Sequence, residues 1–302
     1  GISDGHAFMA ASQLPGSLPI FADIGHNEVR YNTLTVGNVA FGAGIIIYGA
    51  SVSIHDNNIS FNEVIANSYG NGAGIYVQNN AGEIEIRNND IKENKIISEE
   101  WARGGGIALW QPPNKVNIIG NTIEGNTIVG YDNRGSGIWI RYPGGNMNIT
   151  GNLIKDNTGP KASINSAAGG GICIMDASGE VRIDKNIFKG NEIYNGGGLY
   201  FRNSLSTVVT NNVFDGNKSL YGGGISYFNP SDKSYGLSAI TQPWPVFANN
   251  TLVNNEAQIF GGGLYYYTNL VTPILFNSIV RDNTAGTGND IYSLTGAEYL
   301  VE

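Results

Sequence analysis

Arg141, Asp176 and Arg202 fall at nearly equivalent places in three successive stretches of the sequence, and they are the one charged group that such an alignment gathers. Two guanidinium groups around a carboxylate suit capture of a uronate and, with arginine as base, proton abstraction as in a lyase. A lone carboxylate cannot run hydrolysis, which needs a carboxyl pair. As an exposed ion-pair trio, the group would do no chemistry at all. His6, His26 and His55 sit at unrelated positions of the repeat, so no metal triad is expected. Asp56, Asp184, Asp215 and Asp282 recur beside asparagines at corners; they offer oxygen ligands to Ca²⁺, or serve only as solvated turn residues.

The aromatic residues carry a second chemistry. Small-residue triplets such as Gly72-Ala73-Gly74 each precede a short apolar-x-apolar strand. The residues one and three places beyond each strand's first inward residue are expected to face solvent. The first such column reads Ile46, Tyr76, Ala108, Trp139, Cys173, Tyr200, Ser226, Tyr265 and Tyr292. The second reads Tyr48, Gln78, Trp110, Arg141, Met175, Arg202, Phe228, Tyr267 and Leu294. Nine of these eighteen are Phe, Trp or Tyr, in a chain that is 10% aromatic, so chance does not explain them. Flat rings on alternate coils, roughly 9.6 Å apart at two strand spacings, suit the apolar faces of sugars in an extended glycan. Tyr48, Tyr76, Trp110, Trp139, Tyr200, Phe228, Tyr265 and Tyr267 are the candidate glycan-binding residues. Against this stands burial of the same face, by sheet packing or by the inserts 157–169 and 229–244 folding across it.

The elements that must position these side chains follow from a repeat. A phrase of two alternating apolar residues, an Asn, an apolar residue two later and an Asn three after that runs as Ile84-Glu85-Ile86, Asn89, Ile91, Asn94, then Val116-Asn117-Ile118, Asn121, Ile123, Asn126. It degrades only at Leu275, Ser278, Val280, Asn283. Each phrase is followed by a glycine-rich triplet and strand, whose anchors from Ile45 to Ile291 lie 30, 32, 31, 34, 27, 26, 39 and 27 residues apart. Alternation and β-branched residues mean strands, and short strands with one apolar face must stack on copies of themselves. The predicted fold is an all-β, right-handed parallel β-helix of about nine coils. Its asparagines form inward ladders that satisfy backbone groups at the bends. One domain over 1–302 is expected, with 1–26 as cap or first coil, 27–292 as repeats and 293–302 as the end.

Composition agrees: Gly 43 and Asn 39 together occupy 82 of 302 positions, a turn-rich content that argues against a helical protein. A net charge of −8 with no basic run argues against nucleic acid, and no apolar run is long enough to insert in a membrane. The single Cys173 excludes an internal disulfide. The chain opens at Gly1 with no leader pattern, which suggests a piece excised from a longer secreted protein.

Phe188-Lys189-Gly190-Asn191 and Phe214-Asp215-Gly216-Asn217, each followed by Gly-Gly-Gly and Leu or Ile, resemble the repeats of polymorphic outer-membrane-type adhesins. More broadly, residues 27 to 292 resemble the right-handed parallel β-helix superfamily shared with pectate-lyase-like enzymes. The aromatic columns are similar in logic to the cellulose-adhering tapirins. The resemblance implies a fold, while hosting lyases, hydrolases and pure binders alike. With aromatics abundant and paired carboxylates absent from the face, the expectation is a monomeric, secreted or cell-surface adhesin that binds a polysaccharide such as a plant cell-wall glycan. The alternative is a polysaccharide lyase or hydrolase at Arg141, Asp176 and Arg202. No cofactor is expected beyond the possible Ca²⁺.

Overall fold

The computed structural model describes residues 8–10, 21–78, 82–112, 114–161, 167–204, 206–229, 245–268, 274–294 and 300–301. They form a right-handed parallel β-solenoid, and no helix occurs among them. Each coil contributes a strand to three faces. The first face holds the strands after the glycine triplets, such as Ile75–Gln78 and Ile107–Trp110, ten in all with Phe8–Ala10. The second also has ten, from Phe21–Gly25 to Leu300–Val301, and the third nine, from Glu28–Arg30 to Ile279–Arg281. Register places like on like: Ile75 pairs with Ile107, Ile107 with Ile138, Ile91 with Ile123.

That register follows from alternation. In one coil Ile75, Val77, Ile84, Ile86 and Ile91 all point inward and are at most 1% exposed, and their equivalents merge into a continuous core. A one-residue slip would turn every one of them outward. Both bends that flank the third face are closed by asparagines. Asn121 donates from its backbone N and Nδ2 to Asn152 Oδ1 at 2.9 and 3.0 Å, and from Nδ2 to the Ile86 carbonyl at 2.8 Å. The chain of such bonds runs from Asn27 to Asn250 and is capped where Ser278 Oγ accepts from the Asn250 backbone. A parallel ladder from Asn32 to Asn283 ends on Asp290. The glycine triplet serves two purposes. Its first residue turns the chain in the left-handed region, as at Gly72 with φ 60°. Its third permits close approach: a Cβ on Gly74 would lie 2.5 Å from the Gly106 carbonyl oxygen of the next coil.

The segment between the second asparagine and the triplet varies in length, and this variation builds the site. From Asn62 to Gly72 it spans ten residues, from Asn191 to Gly196 only five. Where it is long it forms an arm of two four-stranded parallel ladders, one from Thr33–Val36 to Thr127–Val129 and one from Val39–Phe41 to Asp132–Arg134. Val64, Ile96 and Ile128 pack with Ala40 and Ala102 into a second core between them. The Asn62, Asn94 and Asn126 ladder step separates this core from the main one. Beyond the fourth long arm, single bridges such as Thr158 to Glu192 and Ala168 to Asn195 continue the column.

Candidate functional site

The arm turns its outer ladder against the first face. Within Val39–Phe41, Tyr69–Asn71 and Trp101–Arg103 the middle residue is Ala or Gly and points into the arm, so the residues on either side point out. Register stacks Val39, Tyr69 and Trp101 in one outer column and Phe41, Asn71 and Arg103 in another. These side chains, with Tyr76, Gln78 and Trp110 of the first face, line a cleft of about 310 Å³. The volume lies at the small end of ligand pockets, about 300 to 1,000 Å³. Five aromatic rings line it and no carboxylate does. Trp101 meets Tyr69 edge-on at 4.3 Å, Phe41 stacks on Tyr76 at 4.8 Å, and the Tyr76 hydroxyl donates to Gln78 Oε1 at 2.5 Å.

Arg103 is the charge in the cleft. It is 6% exposed, its Nε has no hydrogen-bond partner, and its guanidinium lies 4.3 Å from the Trp101 ring and 5.1 Å from Trp139. Its ladder neighbour is Arg134, a like charge, which donates to Asp132 at 2.8 Å. Asp132 is left 3.9 Å from Arg103, too far for a hydrogen bond. Burial, only partly offset by Asp132, pushes the Arg103 guanidinium down to about 10, still fully cationic at neutral pH. The site therefore holds a buried positive charge with an unused donor, an arrangement that favours an incoming anion.

The first aromatic column does not face solvent. Tyr76, Trp139, Tyr200 and Tyr265 are buried, at 2%, 1%, 4% and 7% exposure. The expectation of an open array of rings is corrected by the residues preceding each triplet: Phe41 covers Tyr76, Arg103 covers Trp139, Arg134 bonds the Tyr200 hydroxyl, and Phe260 and Tyr221 lie against Tyr265. Tyr48, Trp110, Phe228 and Tyr267 of the second column are half-buried. Of the eight candidates, Tyr76 and Trp110 enter the cleft, Tyr48 touches Tyr76 edge-on at 6.1 Å, and Phe228 stacks with Tyr267 at 4.7 Å far along the stack. Of the inserts anticipated as covers, 162–166 and 230–244 lie outside the described residues. Phe41, Tyr69, Trp101 and Arg103 escaped the sequence reading, although their fixed offset before the triplets was a usable signal.

Arg141 and Asp176 do meet, Nε to Oδ2 at 3.4 Å, without hydrogen-bond alignment. Asp176 Oδ1 accepts from Asn203 at 2.9 Å, Arg141 donates to the Tyr142 hydroxyl at 2.7 Å, and Arg202 pairs in register with Met175. The group braces the corner beside the first face. Cys173 stacks between Trp139 and Tyr200, fully buried, its thiol pushed up to about 12 by desolvation and so unreactive. The corner carboxylates do not converge: Asp184 accepts from Thr210 and Asn211, Asp215 from Asn254, and Asp282 pairs with Arg281. The histidines do, against expectation. Gly25 pairs with His55, so His26 and Asp56 occupy the same corner one coil apart, and the His26 and His55 rings lie 5.4 Å apart. His6 lies outside the described residues.

A family model described as right handed beta helix region matches residues 15–123 and 115–298. No curated protein and no solved structure matches the chain.

Proposed function

The chain belongs to the right-handed β-helix family, and on this scaffold we propose that the arm cleft binds a glycan without turning it over. The carrying observation is the lining itself, five aromatic rings around one buried, under-partnered guanidinium and no carboxylate. Half-buried Trp101 and Trp110 offer ring surface to sugars, and Arg103 pairs with a carboxylate substituent. The chain's net charge of −8 repels a polyanion. The glycan that fits both facts is a largely neutral chain with isolated acidic groups, such as a glucuronic-acid-substituted xylan of plant cell walls. A protein of this kind works where such polymers are met, secreted or at the cell surface, as an adhesin.

Affinity electrophoresis and product analysis on glucuronoxylan test this, with a carboxyl-reduced sample, cellulose and polygalacturonate beside it. Retardation by glucuronoxylan, at least fivefold weaker on the reduced polymer, with no shortened or unsaturated products, is the expected result. Equal retardation by both samples would remove the role of Arg103, and retardation by none would remove the glycan reading. Ultraviolet-absorbing products would return the Arg141, Asp176 and Arg202 group to consideration as a lyase site.

A further inference from the structure

Independently of the cleft, a corner between the second and third faces gathers nitrogen and oxygen ligands. We infer that His26, His55 and Asp56 form a binding site for a divalent transition metal of the zinc class. One ligand atom from each lies within 4.8 Å of those of the other two. Two imidazoles and one carboxylate are a donor set for zinc and its neighbours, and would leave open positions for water.

Three features show that His55 is held for this task. Its Nε2 lies 2.9 Å from Asp23 Oδ1, the carboxylate-to-imidazole contact that orients a metal-binding histidine and leaves its other nitrogen for the ion. That other nitrogen, Nδ1, lies 2.8 Å from Asp56 Oδ2. A metal replaces this hydrogen bond directly, since ligands on about 2.0 Å bonds in a tetrahedron stand roughly 3.3 Å apart. Lastly, the His55 ring occupies the space that a side chain on Gly25 would fill: a Cβ there would lie 2.3 to 2.8 Å from its ring atoms. The ring is therefore seated by its neighbouring coil.

His26 completes the set from the corner itself. It takes a left-handed turn with φ 59°, in a column where the following coils place Asp56, Asn88 and Gly120 at φ 54°, 53° and 65°. The ladder asparagines Asn27, next to His26, and Asn57, next to Asp56, fix the corner from inside, Asn27 Nδ2 donating to Asn57 Oδ1 at 3.1 Å. Arg87 lies 3.5 Å from Asp56 Oδ2, so the carboxylate is partly neutralised before any ion arrives. This tempers affinity and sets the expectation at micromolar rather than nanomolar.

Isothermal titration of the chelator-treated full chain with Zn²⁺, and Co²⁺ absorption as a second readout of coordination, test the site. One ion per chain is expected, with binding lost in His26→Ala and in Asp56→Asn, and weakened at least tenfold in Asp23→Asn. His6→Ala should leave binding intact. His26 is exposed, so its variant keeps the fold, and a circular dichroism melt without metal confirms that. Zinc binding that survives His26→Ala and Asp56→Asn, or no binding to the wild-type chain at 100-fold the micromolar range, would overturn the assignment.

Discussion

The guanidinium of Arg103 lies 4.3 Å from the Trp101 ring while its Nε meets no acceptor, and the Asp132 carboxylate stands 3.9 Å away, beyond hydrogen-bond reach. Desolvation has lowered its pKa to about 10, well below that of a free arginine. The folded state therefore loses this proton before the unfolded chain does, so stability rises as pH climbs above about 10. At neutral pH the charge is carried at a cost. Arg103→Met keeps the packing and removes the charge. It should leave stability unchanged or raise it by on the order of 1 to 2 kcal/mol after loss of the ring contacts, read as an unchanged or higher melting temperature. The same variant should erase the preference for glucuronoxylan over its carboxyl-reduced form. A clear fall in melting temperature would mean that Arg103 is a structural brace.

The two tryptophans on either side of that guanidinium should separate cleanly. Trp139 is 1% exposed, and Trp139→Ala should cost about 3 to 5 kcal/mol by opening a cavity under the arm. Trp101 is half-buried at the cleft wall, so Trp101→Ala should cost no more than about 1 kcal/mol. Retardation on glucuronoxylan should fall severalfold in Trp101→Ala and in Trp110→Ala, with both folded as wild type. Melts paired with affinity electrophoresis read the two effects apart, and equal destabilisation by all three changes would contradict the cleft.

Asn121 sits mid-ladder, where its side chain accepts from Asn89 N and Nδ2 and donates to Asn152 and Ile86. Asn121→Leu leaves these groups buried without partners and should cost on the order of 1 to 3 kcal/mol. Asn121→Ser should cost less, because a serine hydroxyl can accept the backbone bond, as Ser278 does from Asn250 at 3.1 Å. A chemical denaturation series ranking wild type, serine and leucine in that order checks the ladder's energetics.

The coil was readable because its rule is local: Ile84, Ile86 and Ile91 alternate, Asn89 and Asn94 mark the bends, and no other element competes for those residues. The cleft was not, because it depends on what covers the outer side of a strand. Tyr76 and Trp139 occupy positions that period-2 alternation assigns to solvent, and alternation says only that a side chain leaves the core, not that water is what it meets. Phe41 and Arg103 supply the cover from a segment of variable length that breaks the repeat. The signal was present in Val39-Ala40-Phe41, Tyr69-Gly70-Asn71 and Trp101-Ala102-Arg103, three small-centred triplets at one offset before the glycines. His26 and His55 were separated by the same habit of counting: 29 positions apart in sequence, they differ by one coil less one residue, which the Gly25 to His55 register converts into contact.

Gly25 and Gly74 make the last prediction, because each is a place where a methyl group meets something, and what it meets decides the outcome. At Gly74 the obstacle is the Gly106 carbonyl oxygen, 2.5 Å from where a Cβ would stand, and Asn94 Nδ2 at 3.1 Å. Neither can yield without prising two coils apart and stretching the ladder, so Gly74→Ala should destabilise by about 1 to 3 kcal/mol or more. At Gly25 the obstacle is the His55 ring, a side chain that can yield by giving up its contacts with Asp23 and Asp56, as a backbone carbonyl cannot. Gly25→Ala should therefore cost little stability while carrying Nδ1 away from Asp56 and His26. Zinc affinity should fall at least tenfold with the melting temperature nearly unchanged, the reverse of the Gly74 variant, which should bind zinc normally once folded. If Gly25→Ala binds zinc as wild type does, the ring's seat against the preceding coil is not what orients it.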